Sequence, residues 1–189
     1  MSTFTKVSYT NASPRGTGDN RLNSIPAKAK HVNDVVDRLN DGNYKRTFNY
    51  ESIITATKAV TAADSGTVYG FNKADGIVVT LPTPAAGLQF TFLVETTFTT
   101  AGRIRTATTD GTDGFLGSIT IYDTGANGAA GDRFNCQPAA SNDFIDLGAI
   151  EQGWLTGGYI TLLGLNATTY FVEGVLMGDG TLETVFEDA

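Results

Sequence analysis

The chain has 189 residues, a mass of 20.0 kDa and a formal net charge of −7, which leaves room for one ordinary domain and an extension. Its 22 glycines and 28 threonines are typical of a turn-rich all-β domain. The acidic pI of about 4.6 disfavours a nucleic-acid partner, the single cysteine excludes an internal disulfide, and no run of 18 apolar residues predicts a membrane span.

The charge is divided unevenly along the chain. Residues 1–50 carry eight basic and four acidic side chains, whereas residues 51–189 carry five basic and sixteen acidic ones. We therefore predict an extended N-terminal arm over 1–23, a helix and linker over 24–42, and a β-sandwich domain over 43–189. A basic leader on an acidic body indicates that the N-terminal end attaches to a partner.

The arm has no sustained hydrophobic periodicity, so we expect it to become ordered only against another surface. A short α-helix is then predicted, with Ser24 as its N-cap, Pro26 in its first turn and Gly42 at its end. Its apolar stripe must pack against the β body, a symmetry mate or a partner. The expected partner-binding side chains are the charged Lys6, Arg15, Arg21, Lys28 and Lys30 and the apolar Val32, Val35, Val36 and Leu39.

The rest of the chain is punctuated by turns every eight to twelve residues, the spacing of a sandwich or barrel. The predicted strands are 52–60, 67–72, 77–81, 88–97, 104–108, 118–122, 133–136, 143–147, 159–163, 169–176 and 181–186. With so many short strands, the fold class is all-β, a jelly-roll-like antiparallel β-sandwich preceded by the extended arm and one short α-helix.

Two local patterns within this body make specific predictions. Phe90, Phe92 and Val94 alternate with more polar residues and should share the buried face of one strand. Asp75-Gly76 lies between two predicted strands and favours a type I′ hairpin, because both positions accept a positive φ.

Residues 61–95 carry a recognisable series of turns and strands. They read Thr61-Ala-Ala-Asp64-Ser65-Gly66, Phe71-Asn72-Lys-Ala-Asp75-Gly76 and Val79-Thr80-Leu81-Pro82-x-Pro84-x-x-Gly87-x-x-Phe90-x-Phe92. This stretch, about a fifth of the chain, resembles a segment of virion structural proteins from tailed bacteriophages, marine and cyanobacterial ones especially. The resemblance implies a capsid decoration or cement protein, or a fibre component.

Few residues have the chemistry that catalysis requires. His31 is the single histidine and lies in the predicted helix, while Cys136 is expected to be a buried apolar residue. Together they fall short of the three or four nitrogen and sulfur ligands that zinc needs. Asp110, Asp113 and Asp123 lie near one another in sequence, but without calcium-loop spacing we interpret them as solvated turn residues. We expect no enzymatic activity, no metal and no cofactor.

The predicted function is that of a virion structural protein: a homo-oligomeric decoration or cement protein, expected to be a trimer, that is anchored through its arm and helix. Its partner would be the major capsid protein or another virion protein, with assembly in the host cytoplasm and final location on the capsid surface. The alternative is a receptor- or glycan-binding fibre or adhesin module, in which Trp154 would stack on a sugar.

Overall fold

A computed structural model describes residues 49–108, 111–125, 131–136 and 142–188. These residues form β1 (Tyr50–Ile53), β2 (Thr57–Ala59), β3 (Thr67–Phe71), β4 (Val78–Thr80), β5 (Gln89–Val94), β6 (Gly102–Arg105), β7 (Gly114–Asp123), β8 (Gly131–Cys136), β9 (Phe144–Leu147), β10 (Leu155–Gly164), β11 (Thr169–Gly178) and β12 (Phe186–Glu187). Two short 3-10 turns lie at Ala62–Asp64 and Ile150–Gln152.

The strands belong to two sheets. The large sheet has the order β1-β3-β5-β10-β11-β7-β8, and the small sheet has the order β12-β9-β6-β4-β2. Buried side chains of both sheets form one hydrophobic cluster between them. The predicted all-β, jelly-roll-like sandwich is therefore confirmed as an architecture of two packed sheets.

The first six strands alternate between the sheets: β1, β3 and β5 enter the large sheet, while β2, β4 and β6 enter the small one. Each strand therefore returns beside its predecessor in the same direction, and these neighbours pair in parallel. Parallel neighbours need a crossover of a dozen residues or more, and here the crossover contains a strand of the opposite sheet. This half of the body is wound like a short β-solenoid.

The remaining strands close this coil largely with antiparallel pairs. The hairpin of β10 and β11 places β10 antiparallel against β5, and β9 runs antiparallel to β6. The pairing of β7 with β11 is again parallel. The predicted antiparallel pairing thus holds for half of the strand pairs, and the other half are parallel, because the chain winds between the sheets instead of folding back within each one.

The core is rich in aromatic side chains. Tyr69, Phe71 and Phe92 are at most 1% exposed, and the ring of Phe92 stacks at 5.5 Å from each of the other two. Phe90 and Val94 are buried on the same side of β5, as their alternation predicted. The Tyr170 hydroxyl donates a hydrogen bond to the carbonyl oxygen of Pro82, 3.0 Å away, which satisfies a polar group at the core boundary.

Each of the eleven predicted strand ranges overlaps an observed strand, although 181–186 meets β12 at Phe186 alone. Two local predictions are corrected. The range 52–60 covers the end of β1 and all of β2, which the chain separates at exposed Ile54 as it crosses between sheets. Asp75-Gly76 does turn, with Gly76 at φ +87°, yet β3 and β4 lie in different sheets. No hairpin forms there, because the turn carries the chain across the sandwich.

Candidate functional site

The nine side chains predicted to bind a partner, and the arm and helix that carry them, lie outside the described residues. They are Lys6, Arg15, Arg21, Lys28, Lys30, Val32, Val35, Val36 and Leu39. The boundaries proposed after residues 23 and 42 lie there as well. A candidate site within the described residues must therefore come from the β body.

The outward side of the large sheet carries many apolar side chains along its four central strands, β5, β10, β11 and β7. The strands alternate, so the neighbours of each buried residue point away from the core. We call the resulting surface the apolar face; its members are Leu93, Leu116, Tyr122, Tyr159, Leu163, Phe171, Val175 and Met177. The polar side chains among them are Gln89, Thr91, Ser118, Thr120, Thr161 and Glu173, of which Glu173 is the charged one.

The members of the apolar face form two groups, which are separated by a polar row that crosses all four strands: Thr91, Thr161, Glu173 and Ser118. Leu163 pairs with Phe171 on one side, and Tyr159 lies between Leu93 and Val175. Tyr122, Tyr159 and Leu163 are 48%, 41% and 40% exposed. The outward side of a two-layer sandwich is ordinarily polar, and exposed groups of apolar side chains on a protein surface mark interaction sites.

The outward side of the small sheet has the opposite character. Arg103 donates from Nε to Asp146 Oδ2 at 2.7 Å and lies 3.8 Å from Glu187, while Arg105 donates to the Thr80 hydroxyl. The hydrogen bond to Asp146 raises the pKa of Arg103. Charged side chains thus cover this side of the sandwich, so the apolar surface on the other side is not a general property of the fold.

A shallow groove of about 280 Å³ crosses the apolar face. It is lined by Gln89, Thr161, Leu163, Phe171 and Glu173. The Thr91 and Thr161 hydroxyls lie 3.4 Å apart beside it, across the pair of β5 and β10. The groove offers an aromatic ring with a carboxylate, an amide and a hydroxyl, and it is open along one side of the sheet.

Charged and polar groups border the apolar face on both sides. Toward β1, the Glu95 carboxylate lies over Gly70 and accepts a hydrogen bond from the Tyr50 hydroxyl. Toward β8, Arg133 donates two hydrogen bonds to the Ser118 hydroxyl, at 2.9 and 2.6 Å. An apolar centre with a polar rim is the usual anatomy of a protein interface.

Trp154 does not form the open platform that the glycan-binding alternative requires. The side chain is half-buried and packs against the hydrophobic core, and its Nε1 atom is buried without a hydrogen-bond acceptor among the described residues. Its backbone carbonyl accepts a hydrogen bond from Phe98. The indole is a component of the core boundary next to β10 and β11.

The reactive groups considered in the sequence have different surroundings from one another. Cys136 is buried, as predicted, and burial raises the pKa of its thiol from 9.0 to about 11. Asp113 is 2% exposed, so its interpretation as a solvated turn residue is wrong: the turn folds inward against the segment that carries Asp143. Within the described ranges, no group of three or more His, Cys, Asp or Glu side chains is placed to hold a metal ion.

The sequence did contain a signal for the apolar face that the alternation analysis missed. Tyr159-Ile160 and Leu162-Leu163 on β10, and Tyr170-Phe171-Val172 on β11, place apolar side chains on both sides of a strand. Such strands are expected where both sides are covered. In this fold one side is covered by the small sheet and the other is open in the single chain.

The fold and surface define the class of this body: a two-sheet β-sandwich whose first half is wound in parallel and whose large sheet presents an apolar face. No family model, curated protein or solved structure matches the chain. None of the described segments contains a helix with the length and hydropathy needed to cross a membrane.

Proposed function

We propose that this chain is a non-enzymatic structural protein of a virus particle, a homo-oligomeric decoration or cement protein. The basic arm and helix, residues 1–42, attach it to the major capsid protein or another virion protein. The β body faces outward or bridges neighbouring subunits. The protein resides on the capsid surface after assembly in the host cytoplasm.

The observation that carries this proposal is the apolar face. A sandwich that exposes groups of apolar side chains on one sheet is suited to assembly, because such groups are stabilised by burial against another protein. The resemblance of residues 61–95 to phage virion proteins supports the same conclusion. These residues have structural roles: they form β3, β4 and β5, with Phe90 and Phe92 in the core.

Weak attachment by one arm becomes strong when several arms act together. A homotrimer placed at a threefold position of a shell would bring three arms within reach of their sites at once. Each additional arm then binds at a high effective concentration, so the assembly is held far more tightly than any single arm. The distribution of charge agrees with this division, because the basic residues are concentrated before residue 51.

Co-sedimentation of the purified full-length chain with particles that lack it tests the proposal. The variant Arg15→Glu/Arg21→Glu should bind at least about 100-fold more weakly, because it removes two charge-assisted contacts worth roughly 1.5–3 kcal/mol each. The matched control Lys73→Glu/Arg105→Glu makes the same change of charge in the β body and should bind as wild type does. Equal binding by both variants would contradict attachment through the arm.

The alternative, a glycan-binding fibre module, has a direct test because Trp154 is the single tryptophan. Its fluorescence reports on the site where a sugar would stack. We expect no quenching by a panel of host-surface sugars, because the indole packs on the core. Saturable quenching in the wild type, together with a loss of sugar binding by Trp154→Phe in a separate binding assay, would establish the alternative instead.

A further inference from the structure

We propose that the apolar face is the surface through which copies of this chain assemble with one another. This inference rests on the proposed function and deepens it, since it assigns the homo-oligomer contact to β5, β10, β11 and β7. The contact to the capsid is left to the arm and helix. The β body would then mediate self-assembly, and the arm and helix would mediate attachment.

The low charge of the face favours a second copy as the occupant. Residues 51–189 are strongly acidic, with sixteen acidic and five basic side chains, so two copies repel one another except where charge is sparse. The centre of the apolar face has Glu173 as its charged side chain, with Glu95 and Arg133 at the rim. A surface so depleted of charge is complementary to another surface of the same kind.

The dimensions of the face also fit an interface between copies. Four strands spaced about 4.8 Å apart and six residues of strand length give a central area of roughly 400 Å², which includes the polar row. Including the flanking strands β3 and β8 raises this to roughly 600 Å². Stable protein interfaces bury on the order of 800 Å² per partner, so the apolar centre and its polar rim together approach that size.

The geometry of the face permits close packing against a second sheet. Its most exposed apolar members, Tyr122, Tyr159 and Leu163, lie on strands and not on loops, so their positions are fixed by the ladder. Threonines between them leave shallow depressions, of which the groove beside Leu163 and Phe171 is one. Outward side chains of two such sheets can interdigitate as they do inside a sandwich.

Sedimentation velocity on the full-length chain, from about 1 to 100 µM, tests the inference. Wild type should be oligomeric, and Leu163→Glu should dissociate into monomers, with self-association weakened about 100-fold or more because a second carboxylate would be buried beside that of Glu173, which lines the same groove. Ala59→Glu, which adds the same charge at an exposed position of the small sheet, should leave the oligomer intact. Circular dichroism and thermal unfolding establish that each variant is folded.

Tyr159→Glu serves as the second variant if Leu163→Glu does not fold, since Tyr159 lies on the same strand and is equally exposed. A monomeric wild type, or an oligomer that persists in a folded Leu163→Glu or Tyr159→Glu chain, overturns the inference. Co-sedimentation with particles tests the proposed function independently of this result. A monomer that binds particles overturns the role of the face, and an oligomer that never binds them overturns the proposed function.

Discussion

The pair of Arg103 and Asp146 illustrates how much one side chain can matter on the surface of the small sheet. Asp146 is 3% exposed, and Arg103 satisfies one of its oxygens while its guanidinium lies 5.2 Å from the centre of the Phe144 ring. A buried carboxylate that loses its partner must remain charged without compensation or become protonated. The pair therefore matters for the stability of the fold mainly because removing Arg103 would leave the buried Asp146 carboxylate without its partner.

Arg103→Ala should lower the free energy of unfolding by about 2 kcal/mol, less than for a fully buried pair because Arg103 is 41% exposed and water can replace part of its contact. Arg105→Ala is the matched control. Arg105 is exposed and its guanidinium donates to the Thr80 hydroxyl, so the change should stay within about 0.5 kcal/mol. Urea unfolding measures both, and equal effects would contradict the assigned role of Asp146.

Cys136 and Tyr69 make the stability depend on alkaline pH. Burial raises the pKa of Cys136 from 9.0 to about 11 and that of Tyr69 from 10.0 to about 12. Both pKa values are higher in the folded protein, so their contribution is complete below pH 9 and is lost as the pH rises toward 12. The free energy of unfolding should fall across this range, by roughly 3 kcal/mol for the thiol alone.

Urea unfolding at pH 8, 9.5 and 11 measures this loss. In Cys136→Ala the decline in the free energy of unfolding should begin about one pH unit later. The contribution of Tyr69 is lost only above its ordinary pKa of 10.0, whereas that of the thiol is lost above 9.0. A free energy of unfolding that stays constant between pH 8 and 11 in the wild type would mean that these groups are accessible to water in solution.

At the scale of elements, the parallel pairing of β7 and β11 depends on a glycine. Gly117 pairs with Val172 and has φ +141°, and a Cβ atom there would lie 2.0 Å from the Val172 carbonyl oxygen. The two backbones approach so closely that no side chain fits between them. This contact joins β7 to the hairpin of β10 and β11, and so completes the apolar face.

Gly117→Ala should destabilise the fold by about 3 kcal/mol or more, since it adds both a steric clash and an unfavourable backbone angle. Gly66→Ala is the control for the angle alone: Gly66 has φ +90° and nothing within 4 Å of its Cβ position. Its cost should be about 1–2 kcal/mol. Thermal unfolding of both variants makes the comparison, and a tolerated Gly117→Ala would contradict the close approach of β7 and β11.

At the scale of the whole molecule, self-association through the apolar face links stability to concentration. A ligand or partner that binds the folded state alone raises the apparent stability, so the Tm of the wild type should rise between 5 and 100 µM. In Leu163→Glu the Tm should not depend on concentration. Calorimetry at the two concentrations measures this, and a wild-type Tm that stays constant would contradict assembly of the folded chain.

Strand positions and the buried side of β5 were predictable because alternation is a local property. Phe90 and Phe92 alternate with polar residues next to them in sequence, and glycines in the turns, such as Gly66 and Gly87, lie just before β3 and β5. The division of 52–60 into β1 and β2 was not predictable, since both halves have β-forming residues. The residues around Ile54, where the chain crosses between the sheets, do not include a strong turn-forming sequence.

The amino-acid sequence by itself determined that this protein is an all-β sandwich with an aromatic core, because residue preferences and two-residue periodicity act over short distances. The tertiary structure alone decided which sheet each strand enters, that half of the pairings are parallel, and that one outward face is apolar. Those features depend on contacts between residues far apart in sequence. Alternation states that a strand has two sides, and packing decides which of them is covered.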